Sequence, residues 1–157
     1  MNLIVRPLTA DLFAPFGEVL TTPTPRGRNY FETALANLRP AARPSLSLAR
    51  RDEIASLPLK VTQMERHEFS SQSFVPLEAG RWLVLVAPHA AAGGPDMARA
   101  QAFLAGPDQG LTYGANVWHH PLTIFDRPAA FAVFMWRDGG TGDEEFVTLS
   151  TPATITL

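Results

Sequence analysis

Residues 60–76 read KVTQMERHEFSSQSFVP, and this stretch decides the fold class. It divides into two runs of strand length, Lys60–Phe69 and Gln72–Pro76, with Ser70 and Ser71 between them. Polar and apolar residues are mixed in both runs as in half-buried strands, and a serine pair is typical of a turn. The stretch therefore predicts two strands joined by a turn.

Runs of the same kind lie on both sides of this stretch and are separated by Gly, Pro, Asp or Ser. They are Leu3–Val5, Ser45–Arg50, Arg81–Ala87, Ala100–Leu104, Val117–Phe125 and Ala130–Arg137. Thr9–Gly17 predicts one helical turn closed by Gly17, and residues 21–45 predict a loop with a short strand around Asn29–Glu32. About eight strands with almost no helix predict an all-β sandwich, jelly roll or closed barrel.

The composition suits one domain over residues 1–157. Its 14 Pro and 11 Gly are scattered along the chain, which favours many short strands and turns over a helical bundle. The chain has no cysteine. This excludes disulfides, thiolate metal ligands and a cysteine nucleophile, and it fits a reducing compartment.

The charge pattern limits the partners. Thirteen basic and 15 acidic residues give a net charge of -2, whereas nucleic acid and anionic membranes need a concentrated basic surface. We therefore expect neither as a partner. The N-terminus lacks a signal-peptide pattern, and the longest apolar run, Trp82–Pro88, is far shorter than the roughly 20 residues that cross a bilayer. We expect a cytoplasmic protein.

The first candidate site lies in the opening stretch. Side chains alternate along a strand, so Glu65 and His67 share one face, and a turn at Ser70 and Ser71 would return Gln72 beside them. A carboxylate, an imidazole and an amide would then converge inside a barrel. The alternative is an exposed polar face with all three groups in water.

The second candidate site lies in residues 110–122, which read GLTYGANVWHHPL. His119 and His120 are adjacent, so only one of them can face a given interior if the segment is a strand. The alternative is one hydrogen-bonded imidazole that supports a loop and one in water. His89 lies in an Ala-rich loop and is expected to face solvent.

The spacing of these residues resembles the two motifs of the cupin superfamily. The first motif is usually His-x-His, then Glu or Gln, then Gly, and the second supplies one more His. In this chain Glu65 takes the first His position, His67 the second and Gln72 the Glu/Gln position. His119 takes the position in the second motif, and Tyr113 competes for it.

A closer resemblance is to the ureidoglycolate lyase family. It is carried by residues 59–76, with Glu-Arg-His and Gln-x-Phe-x-Pro elements, and by residues 110–122, with a Val-Trp-His-His-Pro-Leu run. Pro7–Thr9, Phe16–Gly17 and Arg137–Gly140 extend it over nearly the whole chain. The family tends to have Asp-Arg-Gly-Gly and then Asp-Asn-Cys at the last site, so residues 138–146 are left without an expected role. The resemblance implies a cupin-like jelly-roll β-barrel with little helix.

The activity implied by this resemblance is cleavage of ureidoglycolate to glyoxylate and urea during allantoin degradation. A base must remove the hydroxyl proton, and an acid must protonate the leaving nitrogen. His67 or Glu65 is the candidate base, and His119 or Tyr113 is the candidate acid. The residues implied in substrate binding are Arg66, Gln72, Trp118 and His120.

Two questions about the site stay open in the sequence. An arginine suits the substrate carboxylate, but Arg66 faces away from His67 in a regular strand, which leaves Arg50, Arg81 or an arginine of the 26–43 loop. The resemblance also allows a divalent metal, with nickel the suspected ion, on His67, Gln72 and His119, assisted by Glu65. It is equally compatible with a site that uses no metal, because an amide is a weak ligand for transition metals.

Other functions are also compatible with the sequence. One is a different cupin enzyme, a metal-dependent oxygenase or isomerase, and another is a non-catalytic cupin that binds a carboxylate. A third is an interaction module in which the two candidate sites lie apart. Because cupin barrels often pair through exposed strands or sheet faces and an exposed edge needs covering, we expect a homodimer.

Overall fold

The computed structural model describes residues 1–157, and β-structure dominates it. Strands account for 51% of the chain and helix for 4%, which confirms the prediction of an all-β protein with little helix. The strands are β1 Asn2–Ile4, β2 Arg6–Pro7, β3 Gly17–Leu20, β4 Arg43–Arg51, β5 Leu59–His67, β6 Gln72–Glu78, β7 Trp82–Ala87, β8 Gln101–Ala105, β9 Gly110–Tyr113, β10 Trp118–His119, β11 Thr123–Ile124, β12 Ala129–Arg137 and β13 Glu144–Thr156. The helix α1 spans Ala10–Phe13, and one turn of 3-10 helix spans Met97–Arg99.

The strands form two sheets that together make a nearly closed, barrel-like jelly roll. The larger sheet has the order β1-β13-β5-β10-β7-β8-β2, with β11 also paired to β7. The smaller sheet has the order β3-β9-β6-β12-β4. No helix has the length and apolarity needed to cross a membrane.

The interior between the sheets is filled by aromatic side chains. Strand β12 shows the reason, because its odd-numbered residues Phe131 and Val133 are buried in the core while its even-numbered residues face outward. The Phe131 ring meets the Trp82 ring of the opposite sheet edge-on, with centroids 5.2 Å apart. Alternation along the strands therefore sets which side chains fill the barrel.

The larger sheet is apolar on both faces, which explains the unbroken apolar run in β7. All six residues of β7 are buried. Trp82, Val84 and Val86 pack inside the barrel, whereas Leu83 and Leu85 pack in a second cluster on the outer face. Strand β7 is covered on both sides and therefore lacks alternation.

The link between β5 and β6 differs from the predicted turn between paired strands. Strand β5 belongs to the larger sheet and β6 to the smaller one, so residues 68–71 carry the chain from one sheet to the other. Ser71 donates its backbone N–H to Ala36 O at 2.9 Å, and Ser70 pairs with Asn37. Gln72 consequently approaches His67 and Glu65 from across the barrel and not as a neighbour in one sheet.

Three other local predictions need correction. Residues 29–32 contain no strand, because the 21–41 segment runs over the smaller sheet as a loop. The predicted strand Val117–Phe125 is two short strands, β10 and β11, with Pro121 between them. The helical turn ends at Phe13, and Gly17 begins β3 instead of closing the helix.

Four paired strands, β2, β3, β9 and β13, had no counterpart in the predicted set. Strand β13 is 13 residues long, and a register shift between Thr148 and Ala153 interrupts its pairing with β5. The alternation of buried and exposed residues is broken there, so a search for a period of two does not detect the strand. The pairing matters for the site because it places Glu144 opposite His67.

Candidate active site

The barrel interior brings five of the predicted residues together from four strands. Strand register places Glu65 of β5 opposite His119 of β10, and Gln72 of β6 opposite Tyr113 of β9. The first pair belongs to the larger sheet and the second to the smaller sheet. His67 lies two residues beyond Glu65, on the same face of β5. The two candidate segments therefore meet across the barrel.

His119 is the centre of this cluster. Its Nε2 atom lies 3.2 Å from Glu65 Oε1 and 3.2 Å from Gln72 Oε1, and its Nδ1 atom lies 3.0 Å from the carbonyl oxygen of Val117. The Tyr113 ring stacks on the imidazole with centroids 4.1 Å apart and planes 11° apart. Carbonyl and carboxylate oxygens only accept, so each ring nitrogen of His119 faces a hydrogen-bond acceptor.

Glu65 is held as a carboxylate. Burial by itself would raise the pKa of Glu65, but the hydrogen bond from His119 and the positive charges that His119 and His67 can carry lower it below its ordinary value. A half-buried carboxylate that remains ionised stabilises a proton on the neighbouring imidazole. The Glu65 carboxylate and the His119 imidazole therefore form a pair in which the carboxylate stabilises a proton on the ring.

His67 has the opposite character. Its side chain is buried, its Nδ1 lies 3.5 Å from Asp143 Oδ2, and its ring centroid lies 6.1 Å from that of His119. Burial lowers the pKa of His67 and the neighbouring His119 lowers it further, outweighing the carboxylates of Asp143 and Glu65. The buried Nε2 atom has no hydrogen-bond partner. A neutral His67 with its proton on Nδ1 presents a free lone pair at Nε2.

Asp143 is a residue of the site that the sequence reasoning missed. It is 5% exposed, and it accepts hydrogen bonds from Phe69 N at 2.7 Å and from the hydroxyl of Ser70. Arg39 pairs with the same carboxylate at 3.1 Å. The only signal for it was its place just after the Arg-Asp-Gly-Gly segment, where the family pattern differs. Asp143 joins the crossover between the sheets to the imidazole of His67.

Tyr113 and His120 differ in their relation to this cluster. Burial raises the pKa of Tyr113 well above its ordinary value, and the Glu65 charge raises it further, so the phenol stays protonated. His120 hydrogen-bonds through Nδ1 to Gln63 O at 3.0 Å and makes no hydrogen bond to the cluster. Burial lowers its pKa despite that bond. His119 is therefore the member of the His-His pair that faces the cavity.

Arg66 and Trp118 lie on the outer face of the larger sheet and are not brought to the cluster. The Arg66 guanidinium lies 5.0 Å from the Trp118 ring centroid and pairs with Glu145 at 2.6 Å. His89 is exposed as expected, yet its Nδ1 accepts a hydrogen bond from Trp118 Nε1 at 3.0 Å. Arg66 and Trp118 therefore contact each other on the face of the sheet opposite to Glu65 and His119.

A cleft opens beside His67 at the end of the barrel where β5 and β12 finish. Its volume is about 270 Å³, and its walls include His67, Met135, Arg137, Asp143 and Glu144. A small polar molecule fits this space. The cleft gives the otherwise buried imidazole a path to solvent.

The donor atoms do not form a ready metal centre. No group of three or more His, Cys, Asp or Glu residues is arranged around one point. The His119 Nε2 atom faces Glu65 and Gln72 at hydrogen-bond distance, and His67 Nδ1 faces Asp143. A metal would have to displace these hydrogen bonds, so the residues present do not fit a resident divalent ion.

Comparison with known proteins gives one family. The family model described as ureidoglycolate lyase matches residues 1–156. The chain is similar to the ureidoglycolate lyase of Mesorhizobium japonicum, at 37% identity over 92% of each chain. It is also similar to the ureidoglycolate lyase of Brucella melitensis, at 37% identity over 84% of this chain and 81% of that one. A relative in Agrobacterium fabrum is 36% identical over 99% of this chain and 96% of its own.

The buried imidazoles should make stability depend on pH. His67 and His120 both have a folded-state pKa below the ordinary 6.5, so the unfolded chain takes up protons first as the pH falls. We expect the free energy of unfolding to be at its maximum above pH 6.5 and to decline below that pH. The decline is at most about 1.4 kcal/mol per pH unit for each proton. Glu65, whose pKa is also lowered, adds a further loss below 4.5.

Urea denaturation over the range from about pH 8 to pH 5 measures this decline. In His67→Gln the decline should be shallower than in the wild type, each protein being compared with its own stability at the higher pH. His89→Gln removes an exposed imidazole outside the cavity and should leave the wild-type slope. Equal slopes in all three proteins would contradict the assignment of a buried, neutral His67.

Proposed function

Because the chain belongs to the ureidoglycolate lyase family, we propose that it breaks the C–N bond of ureidoglycolate to release glyoxylate and urea. One observation carries the mechanism: the buried Nε2 atom of His67 lacks a partner, and the His67 ring centroid lies 6.1 Å from that of His119, which pairs with Glu65. One imidazole can therefore take a proton while the other gives one. This is what cleavage of a carbinolamide requires.

In the proposed step, His67 Nε2 removes the proton from the substrate hydroxyl. The electron pair left on oxygen forms the carbonyl of glyoxylate, and the C–N electron pair leaves with the urea nitrogen. His119 Nε2 donates a proton to that nitrogen, and Glu65 stabilises the charged imidazole before transfer. Return of a proton from His67 to His119 restores the resting state.

The surroundings support this division of roles. The lowered pKa of His67 keeps its lone pair available near neutral pH, and Asp143 orients the ring by accepting from Nδ1. Glu65 is a weaker candidate for the base because its carboxylate is engaged with His119. Tyr113 supports the His119 ring by stacking and, with its pKa raised, contributes no anion. Gln72 holds Nε2 of His119 from the opposite sheet.

Removal of either imidazole should abolish most of the turnover without unfolding the protein. General acid or base catalysis contributes about 10²–10⁴-fold, so we expect kcat to fall by that factor in His67→Gln and in His119→Gln. The measurement is the release of both glyoxylate and urea from racemic ureidoglycolate. His89→Gln is the matched control and should retain wild-type kcat within about threefold, since its imidazole lies outside the cavity.

Two results would be decisive against this mechanism. Wild-type rates in both cavity variants would remove His67 and His119 from the reaction. A wild-type protein that releases no urea would overturn the proposed function as a whole. Far-ultraviolet circular dichroism of each variant separates loss of a catalytic group from loss of the fold.

We propose that this chemistry proceeds without a resident metal. The support is the hydrogen bonding described above, in which His119 Nε2 already faces Glu65 and Gln72 at 3.2 Å. Neutral and charged hydrogen-bonding groups suffice to move both protons. The suspected nickel site on His67, Gln72 and His119 would instead have to displace these bonds.

Metal removal tests the proposal directly. Protein purified without a histidine tag and dialysed against a chelator should release urea at the undialysed rate. Elemental analysis of the same sample should find far less than one equivalent of nickel, iron, manganese or zinc. Loss of activity on chelation, restored by one of these ions, would show that the site uses a metal.

The place of the reaction in the cell is a further part of the proposal. The substrate named by the family is an intermediate whose breakdown frees urea nitrogen, which supports a role in allantoin degradation and nitrogen use. The absence of cysteine agrees with a cytoplasmic location. The partner we propose for the active site is accordingly a small carboxylate substrate.

We also propose that two copies of the chain form a homodimer through the smaller sheet. Strand β4 is an edge of this sheet, and its Leu46 and Leu48 are 70% and 74% exposed. Register places Leu48 beside Ala132 and Val75 on the outward face. The two leucines flank Ser47, so a two-fold axis there would set each leucine against the other leucine of the second copy. This would cover an apolar edge that otherwise invites aggregation.

Charges placed on this surface should separate the copies. We expect Leu46→Lys combined with Leu48→Lys to convert a dimer to a monomer, read by light scattering coupled to size exclusion. Ile4→Lys is the control, because Ile4 is 67% exposed on β1 of the other sheet. A monomeric wild type, or a double variant that stays dimeric, would rule out this interface.

A further inference from the structure

Two arginines face each other at the end of the barrel where the cleft beside His67 opens. Arg43 begins β4, Arg137 ends β12, and the antiparallel register makes them direct cross-strand partners. Arg137 continues the odd-numbered face of β12 that carries Phe131 and Val133 into the core. Both arginine side chains therefore start on the inner face of the smaller sheet, at the end of the barrel where His67 lies.

This pairing is unfavourable unless an anion is added. Like charges directly opposite on neighbouring strands repel each other. The ion pairs of the chain engage Arg39 with Asp138 and Asp143, Arg50 with Asp52, Arg66 with Glu68 and Glu145, and Arg81 with Asp126. Neither Arg43 nor Arg137 has a carboxylate partner. The candidates Arg50 and Arg81 are thus already neutralised, and two unpaired cations remain at the mouth.

The cleft next to this pair contains the catalytic base. Arg137 and His67 line the same space of about 270 Å³. Arg39 lines it too, and its buried Nε has no hydrogen-bond partner. The acidic residues on this wall are Asp138, held by Arg39, Asp143, which faces His67, and Glu144, which is exposed. An anion in the cleft would therefore lie between the Arg137 guanidinium and the ring of His67.

We propose that Arg43 and Arg137 form a clamp for the carboxylate of the substrate. Guanidinium forks bind carboxylates with paired hydrogen bonds, and a single carboxylate between two of them removes their mutual repulsion. With the carboxylate so held, the adjacent carbinol carbon is directed toward His67. The clamp selects small 2-hydroxy carboxylates over uncharged carbinolamides. This inference rests on the proposed lyase function, whose substrate carries such a group.

Glutamine substitutions test the clamp. Arg43→Gln, Arg137→Gln and the double variant remove one or both charges, and Arg51→Gln is the control at the far end of the same strand, opposite Ala129. The probe is glyoxylate, with its affinity measured by calorimetry and its effect on the melting temperature measured without turnover. Urea release from ureidoglycolate then gives KM and kcat for each protein.

We expect glyoxylate to raise the melting temperature of the wild type and of Arg51→Gln. Each single clamp variant should bind glyoxylate about tenfold more weakly, and the double variant more weakly still, because charge-assisted hydrogen bonds are lost. KM should rise by a similar factor, with kcat within about threefold of wild type. Without ligand, the variants should melt no lower than the wild type, since repulsion is relieved.

The outcomes separate the clamp from the lyase function. Normal urea release with unchanged KM and glyoxylate affinity in the double variant overturns the clamp and leaves the lyase function standing. Glyoxylate binding that depends on both arginines, in a wild type that releases no urea, overturns the lyase function and supports the clamp. A wild type that neither binds glyoxylate nor gains stability from it overturns the clamp.

Discussion

The imidazole of His119 joins the two sheets of the barrel, and the rest of the site depends on this contact. Its Nε2 meets Glu65 of the larger sheet and Gln72 of the smaller sheet, while Nδ1 is tied to the backbone at Val117. All of these groups are shielded from water, where an unpaired polar atom is costly. The sheets must therefore close at a separation that keeps both contacts, which in turn sets the width of the cavity.

The two histidines of the cavity differ because their surroundings differ. His119 lies against the carboxylate of Glu65 and holds protons on both nitrogens when charged. His67 is also buried, but its nearest carboxylate, Asp143, is already engaged by Phe69, Ser70 and Arg39. In the proposed mechanism the same side chain is a proton donor at one position and a proton acceptor at the other. Enzymes commonly separate acid from base in this way.

The outer face of the larger sheet supports this arrangement. Arg66 lies between Glu65 and His67 in sequence, and its guanidinium reaches Trp118 and Glu145 on the other side of the sheet. These contacts connect β5 with β10 and β13 on the side of the sheet opposite to Glu65, His67 and His119. Polar groups on one face of β5 point into the barrel, and the buried Arg66 on the other face makes contacts with the neighbouring strands.

Much of this arrangement could be read from the sequence, and the physical reasons are local. Alternation along a strand placed Glu65 and His67 on one face and Arg66 on the other, and it allowed only one of His119 and His120 to face the cavity. Polar residues that interrupt otherwise apolar strands identified both candidate segments. Strand β13 was not recognised because its register shift breaks the period of two.

The sequence by itself determined the all-β class, the family and the set of groups available for proton transfer, because these follow from residue identity, spacing and alternation. Only the tertiary structure decided that residues 68–71 cross between sheets, that Asp143 reaches His67, and that Arg43 lies opposite Arg137. Each of these contacts joins residues far apart in the chain. Such contacts depend on how the strands pair and how the barrel closes. The propensities of neighbouring residues determine neither of these.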